Sequence, residues 1–233
     1  MPAITVVVPI HNEAAFLPVA FPRLLAELEH VPADCRVILV ENGSSDDTAA
    51  VAERLSEGSP VEVRRLPEPD YGGAMRDGFL AADGDWVVNF DIDYFSGGFL
   101  GQVLELADRA DLVIASKRDP QSEDRRSPLR RTGTAVFNLL LRLLFGSRVS
   151  DTHGMKAFRR EVVTDIAPSV RSTEDLFDTE LVLRAERAGY RIVEVPVVVE
   201  EMREARSSFL KRVPRTLRGL AQIRRWLASE RPD

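Results

Sequence analysis

Short β-branched runs alternate with stretches of helical periodicity along the chain. The runs at 3–9 (AITVVVP), 36–41 (RVILVE), 61–66 (VEVRRL), 85–90 (DWVVNF), 110–115 (ADLVIA) and 191–199 (RIVEVPVVV) predict strands. Helical patterns fall near 13–30, 46–56, 72–82, 98–108, 129–145, 174–188 and 207–228. Several early strands are apolar at consecutive positions, the pattern of a sheet covered on both faces. Strand–helix alternation predicts an α/β fold with a mostly parallel sheet flanked by helices. In such sheets ligands bind beyond the carboxyl ends of the strands.

Punctuation residues support this layout. Ser44 or Ser45, with Asp46 and Asp47, opens the second helix and sets carboxylates at its positive end. Thr173-Glu174-Asp175 opens a later helix that stops at Ala188-Gly189, where glycine suits the residue past the end. The polar stretch 117–131 (KRDPQSEDRRSPLRR) breaks the alternation and reads as a mobile surface loop. Loops of that length are often lids or binding loops.

Composition narrows the class. The 233 residues fit one domain with a full core. A net charge of −6 argues against a protein devoted to nucleic acid. Cys35 is the sole cysteine, which excludes a disulfide framework and fits a reducing, cytoplasmic setting. The N-terminus lacks a basic leader region, so no secretory signal is expected. No apolar run reaches the ~18–20 residues of a membrane span. The longest, 134–146 (TAVFNLLLRLLFG), reads either as a core helix or as a helix that touches a membrane surface or a lipid.

The stretch NFDIDYFSGG (89–98) sets Asp91 and Asp93 one residue apart at the end of an apolar run. If strand geometry continued to 93, both carboxylates would share one side and repel. A divalent cation removes that cost, and hard Mg2+ or Mn2+ prefers oxygen ligands. The alternative is a solvated turn that caps the next helix. The exit of the first strand, VVVPIHNE (6–13), has no glycine and so is neither a dinucleotide fingerprint nor a phosphate loop. VENGSSDDT (40–48), which includes Gly43, lies at another strand end.

Together PIHNE, VENGSSDDT and YGGAMRDGFLAADGDWVVNFDID resemble the family 2 glycosyltransferases of GT-A fold. Members typically show P-x-x-N-E, a D-D-G-S-x-D-x-T turn, a G-x-x-x-A-x-x-x-G helix and a D-x-D. ASKRD (115–119), the Arg-rich loop, Phe137-Asn138, SDTHGMKAFRRE (150–161) and TELVLRAERAGYRIVEVPV (179–197) are similar to the dolichyl-phosphate and polyprenyl-phosphate mannose synthase branch. The resemblance covers roughly residues 3–210. It implies a catalytic domain at 1–210 with a Rossmann-like sheet, and a basic helix at 211–233 packed on it or trailing it.

The resemblance further implies an inverting enzyme that takes a GDP- or UDP-linked sugar, with Mg2+ or Mn2+ as cofactor. It sets Pro9, Glu13, Glu41 and Gly43 around the nucleoside, Asp91 near ribose and metal, and Asp93 on the metal. Asp178, six residues before Arg184, matches the catalytic aspartate, and Phe177 replaces the usual acid beside it. Without the resemblance, Asp178 is simply part of an acidic first turn. Lys117, Arg118, Arg130 and Arg131 match the neighbourhood that holds phosphates, where guanidinium forks pair with phosphate oxygens. Arg203, with Arg206 and Ser207-Ser208, resembles a late stretch that closes over the donor. His153 is either a third metal ligand or a binding or structural histidine. Segment 203–226 holds eight Lys or Arg against one acid, which draws it to anionic lipid or makes it an ordinary basic helix.

The sequence also departs from the family. DIDYFSGG replaces the usual D-A-D-L-Q-H-P-P, so Phe95 stands where a polar residue can help hold the metal. Glu41-Asn42 replaces the double aspartate. The leading expectation is transfer of mannose or glucose to a polyprenyl-phosphate-type acceptor at a membrane surface, on the inner, cytoplasmic face. The competing ones are the same chemistry on a soluble hydroxyl acceptor, and a nucleotide-sugar-binding protein without turnover.

Overall fold

The computed structural model describes residues 1–119, 121–124, 128–152, 154–173, 176–199 and 209–230. Side chains are described for these except at 123–124, 128–130, 199 and 209–212. Seven strands form the main sheet: β1 (Ala3–Ile10), β2 (Asp34–Asn42), β3 (Val61–Leu66), β4 (Trp86–Asn89), β5 (Leu112–Ser116), β7 (Lys156–Arg159) and β8 (Ile192–Pro196). Their order is β3-β2-β1-β4-β7-β5-β8, and all are parallel except β7, which runs antiparallel to both its neighbours. Two-residue strands β6 (Glu123–Asp124) and β9 (Val198–Val199) pair apart from it.

The helices are α1 (Leu17–Leu28), α2 (Thr48–Ser56), α3 (Tyr71–Ala81), α4 (Gly97–Glu105), α5 (Pro128–Phe145), α6 (Arg160–Ile166), α7 (Phe177–Arg187) and α8 (Phe209–Ser229). α1 turns Leu17, Ala20, Phe21, Leu24 and Leu28 inward at helical spacing, against Val6, Val8 and Trp86 on one sheet face. On the other face Val7, Ile38 and Val87 meet Met75 and Phe79 of α3, Phe158 of β7 and Leu181 of α7. This double cover is why β1 and β2 carry runs of consecutive apolar residues, at 6–10 and 37–40. A third cluster joins Leu141 of α5, Leu176 and Leu183, and Leu220, Ile223 and Leu227 of α8.

Polar contacts lock α8 onto α7. Arg184 donates Nε to Glu180 (2.8 Å) and both terminal nitrogens to Glu230 (2.6 and 3.0 Å). Buried Glu180 also accepts the backbone N–H groups of Arg171 and Ser172. The strap 171–173 then reaches α3, where Gly72 N–H donates to the Thr173 carbonyl at 2.6 Å.

The structure corrects several expectations. β7 and α6 lie where none were predicted: the sequence KAFR begins and ends on a cation, which hides a strand whose Lys156 is buried. α2 starts at Thr48, after Ser44 and Ser45, because Asp46 accepts the Thr48 N–H (3.0 Å). Within 117–131, β6 and the start of α5 replace the expected continuous loop. α7 starts at Phe177 with Leu176 at its cap, and Glu174 and Asp175 lie outside the described residues. Gly189 ends α7 at φ +85°, as its sequence position predicts.

Gly78 lets α3 sit directly on the sheet, since a Cβ there would strike Val7 and Val40. Gly101 in α4 faces open space. Gly78→Ala should therefore cost about 1–3 kcal/mol by overpacking, although alanine favours helix by about 1 kcal/mol. Gly101→Ala should stabilise by up to about 1 kcal/mol. Urea unfolding of both variants checks the pair, and equal effects would count against the close α3–sheet contact.

Candidate active site

The carboxyl ends of β1, β2 and β4 open on one edge of the sheet. β7 enters at the same edge because it is antiparallel: Asn89 at the end of β4 pairs with Lys156 at the start of β7. Loops from several elements therefore converge there.

The exits of β1 and β2 brace each other. Asn12, at φ +54°, donates its N–H to Ser44 Oγ (3.0 Å) and accepts the Ser45 N–H at its side-chain oxygen (2.9 Å). Glu13 and Glu41 are both buried. Glu13 N–H donates to Thr48 Oγ1 (2.7 Å), and Glu41 Oε1 accepts the Ser44 N–H (2.6 Å). Gly43 has φ +58°, and a Cβ there would lie 2.5 Å from the Glu68 carbonyl carbon, so a side chain has neither the backbone nor the space. Pro9, Glu13, Glu41 and Gly43 thus lie at the neighbouring ends of β1 and β2.

β4 ends at Asn89, so strand geometry does not continue to Asp93. Asp91 and Tyr94 exchange backbone hydrogen bonds (3.2 and 2.9 Å), which folds the D-x-D into a tight turn. Ile92 between the two acids is buried, and Phe95 packs against the core. Burial first, then the negative charges of Asp178 and Asp93, pushes the Asp91 carboxyl up to about 6. The ammonium groups of Lys156 and Lys117 pull it the other way.

Asp178, in the first turn of α7, is buried. Its Oδ2 accepts from Lys156 Nζ (3.0 Å) and from the Tyr71 hydroxyl (3.2 Å), and neither bond uses Oδ1. Lys156 is fully buried and also donates to the Gly154 carbonyl (2.6 Å). Lys117 Nζ lies 5.2 Å above the centre of the Tyr94 ring. Both pack against Gly154, whose φ of +109° suits glycine. Lys156 and Tyr71 were not foreseen as site residues. The one signal was a lysine inside an otherwise apolar run, MKAF.

The segment bearing Gly154 is pinned from behind. Glu194 of β8 accepts Ser150 N–H (2.9 Å), Ser150 Oγ (2.8 Å) and Asp151 N–H (3.2 Å). Thr152 and Thr179 share a hydroxyl hydrogen bond (3.0 Å). Arg118 is exposed on the loop after β5, and Arg131 is exposed in the first turn of α5. The Arg130 side chain, His153 and Arg203 lie outside the described residues.

Among the described residues no three His, Cys, Asp or Glu side chains are arranged to hold a metal ion alone. Asp91 and Asp93 still fit Mg2+ or Mn2+. They offer hard oxygen donors one residue apart on a tight turn. Mg2+ typically takes one or two carboxylates and completes its shell with substrate phosphates and water.

The family model described as "Glycosyl transferase family 2" matches residues 5–167. The chain belongs to that family. This family 2 glycosyltransferase is 37% identical over 197 residues to an uncharacterized glycosyltransferase of Mycobacterium tuberculosis, covering 84% of each chain. It is 31% identical over 212 residues to the polyprenol monophosphomannose synthase of Mycolicibacterium smegmatis, covering 84% of this chain and 77% of that one. The crystal structure of glucosyl-3-phosphoglycerate synthase from M. tuberculosis, with Mn2+, UDP and glucosyl-3-phosphoglycerate, superposes with a TM-score of 0.70. Sequence identity there is 22%, over 95% of this chain and 78% of that one. That likeness establishes the GT-A fold, as the resemblance implied.

Two predictions follow the electrostatics of the glycosyltransferase site. Asp91 keeps its proton to about pH 6 when folded, against an ordinary value of 3.8. The folded state therefore binds more protons than the unfolded chain between these values, and stability falls as pH rises through them. The cost, complete above about pH 6, is about 2–4 kcal/mol. In Asp91→Asn it should vanish, so the variant should gain stability over the parent between pH 4 and 6 in paired urea titrations; a pH-independent difference would contradict it. Lys156→Ala leaves Asp178 buried and unpaired, and should cost about 3–5 kcal/mol. Thermal denaturation should show the double variant Lys156→Met/Asp178→Asn recovering part of that loss.

Proposed function

We propose that the chain transfers a hexose, mannose or glucose, from a nucleotide-diphosphate sugar to the phosphate of a polyprenyl-phosphate acceptor. The gathering of Asp91, Asp93 and Asp178 with Lys117 and Lys156 at the carboxyl edge of the sheet carries this reading. The polyprenol monophosphomannose synthase relative supports the choice of acceptor. The free thiol of Cys35 suits the cytoplasmic side, and such an acceptor sets the reaction at a membrane surface.

Pro9, Glu13, Glu41 and the backbone at Gly43 cradle the nucleoside between the ends of β1 and β2. Asp91 and Asp93 hold a divalent ion, which when bound offsets the charge that grows on the departing diphosphate. Lys117, held over the Tyr94 ring, offers its ammonium to phosphate oxygens. An acceptor phosphate oxygen forms a bond to the anomeric carbon while the bond from that carbon to the diphosphate oxygen breaks. The nucleoside diphosphate leaves and the configuration inverts. The acceptor is already ionised, so no proton needs to be taken from it. Asp178, fixed by Lys156 and Tyr71, then orients groups.

A second reading rests on Asp178 itself. Neither of its hydrogen bonds uses Oδ1, and that oxygen could accept the proton of a soluble hydroxyl acceptor. Transfer assays with GDP-mannose and UDP-glucose, with Mn2+ or chelator, separate these readings. Transfer to polyprenyl phosphate should require the metal and fall by about 10²–10³ in Asp93→Ala. Asp178→Asn should then keep activity within about tenfold. A loss of about 10²–10⁴ in that variant, with a hydroxyl acceptor as the working substrate, would favour the second reading. Tight nucleotide binding without transfer to either acceptor would sink both and leave a binding protein.

A further inference from the structure

α5 is apolar on two faces. One sends Phe137, Leu140, Leu141, Leu144 and Phe145 into the third hydrophobic cluster. The other carries Val136, Leu139 and Leu143, spaced i, i+3 and i+7, at 53%, 54% and 71% exposure. That spacing makes one stripe. α8 packs against α5 and adds Val213 and Leu217, spaced i and i+4, at 38% and 47%. Scattered exposed apolar residues are ordinary. Here five of the nine large ones among the described residues fall on two neighbouring helices.

The charge of these helices is equally uneven. α5 carries three arginines in 18 residues, and α8 carries six Lys or Arg in 21. Neither contains an acid, in a chain of net charge −6. Arg131 and Arg142 on α5 are exposed, as are Arg215, Arg218, Arg224 and Arg225 on α8. Exposed apolar stripes beside arginines, with no acid between, match an interfacial helix on anionic lipid. A second copy of the chain would bring the same positive charge face to face, which opposes self-association here.

We infer that α5 and α8 together dock this protein on an anionic bilayer surface, with Val136, Leu139 and Leu143 entering the headgroup–acyl boundary. Among the described residues no helix is long and apolar enough to cross a membrane, so attachment by these helices is interfacial. The same helices are tied to the active site. Asn138 of α5 donates to the Ser150 carbonyl, on the segment that leads to Gly154. Leu176 and Leu183, which bury α8, flank Asp178 on either side in sequence. The inference deepens the lipid-acceptor reading, but its test needs neither donor nor acceptor.

The test is co-sedimentation of the full chain with phosphatidylglycerol–phosphatidylcholine vesicles and with pure phosphatidylcholine vesicles, both free of polyprenyl phosphate. Partition should be at least about tenfold stronger on the anionic vesicles and weaken with salt. Leu139→Ser/Leu143→Ser, at positions already exposed, should lower it about tenfold or more while leaving the urea midpoint unchanged. A polarity-sensitive thiol dye on Leu143→Cys, in a Cys35→Ser background, should shift to the blue on anionic vesicles. Failure to sediment with them, or sedimentation unchanged by the double variant with an unshifted dye, would overturn the inference. So would a concentration-dependent dimer, seen without lipid, that the same double variant abolishes. Loss of transfer activity alone would bear on the proposed reaction and not on docking.

Discussion

A lysine with no access to water must be neutralised where it stands, and much of the architecture answers to Lys156. Its strand is sandwiched between β4 and β5, so the ammonium cannot swing out to solvent. Burying such a charge unpaired costs several kcal/mol, so Asp178 has to be within reach. That fixes where the first turn of α7 lies. Tyr71 must approach the same carboxylate, which fixes the start of α3, and the Gly72–Thr173 hydrogen bond joins that start to the strap before α7. The antiparallel strand brings its charge to the edge where the parallel strands end. A feature of packing thereby becomes a feature of the site.

Further acids gather one step away. Asp91 and Asp93 are held close by a backbone turn, and Asp178 is near enough to raise the Asp91 carboxyl. Burial comes first among the causes, and the neighbouring acids add to it. Phe95, two residues past Asp93, packs against the core.

Much of this was legible in the sequence. Five of the six predicted strands and the seven predicted helices exist, because consecutive β-branched residues and strong 3.6-residue periodicity leave few alternatives; the sixth run, 191–199, splits after Pro196 into β8 of the main sheet and β9 of the small one. The meeting of Pro9, Glu13, Glu41 and Gly43 was implied by the family resemblance, since each motif alone reads as an ordinary turn. β7 was invisible because its pattern is set by neighbours distant in sequence, and because a buried lysine reads as surface. The sequence left the D-x-D open between continued strand and turn, because a two-residue hydrogen-bonded closure leaves no periodicity; the structure makes it a turn. Lys117 joined the site while Arg118, beside it, points outward, and composition alone has no means of separating the two.

The latch between α7 and α8 has a temporal meaning. Arg184 is buried against Glu230, 46 positions later in the chain. During synthesis, at about 5–20 residues per second, the sheet can assemble while that guanidinium still lacks its carboxylate partner. Glu180 does not wait in the same way, because Arg171, Ser172 and Arg184 all precede α8. The nascent protein can therefore build its sheet first and close the α7–α8 latch last, when the residue just past α8 arrives.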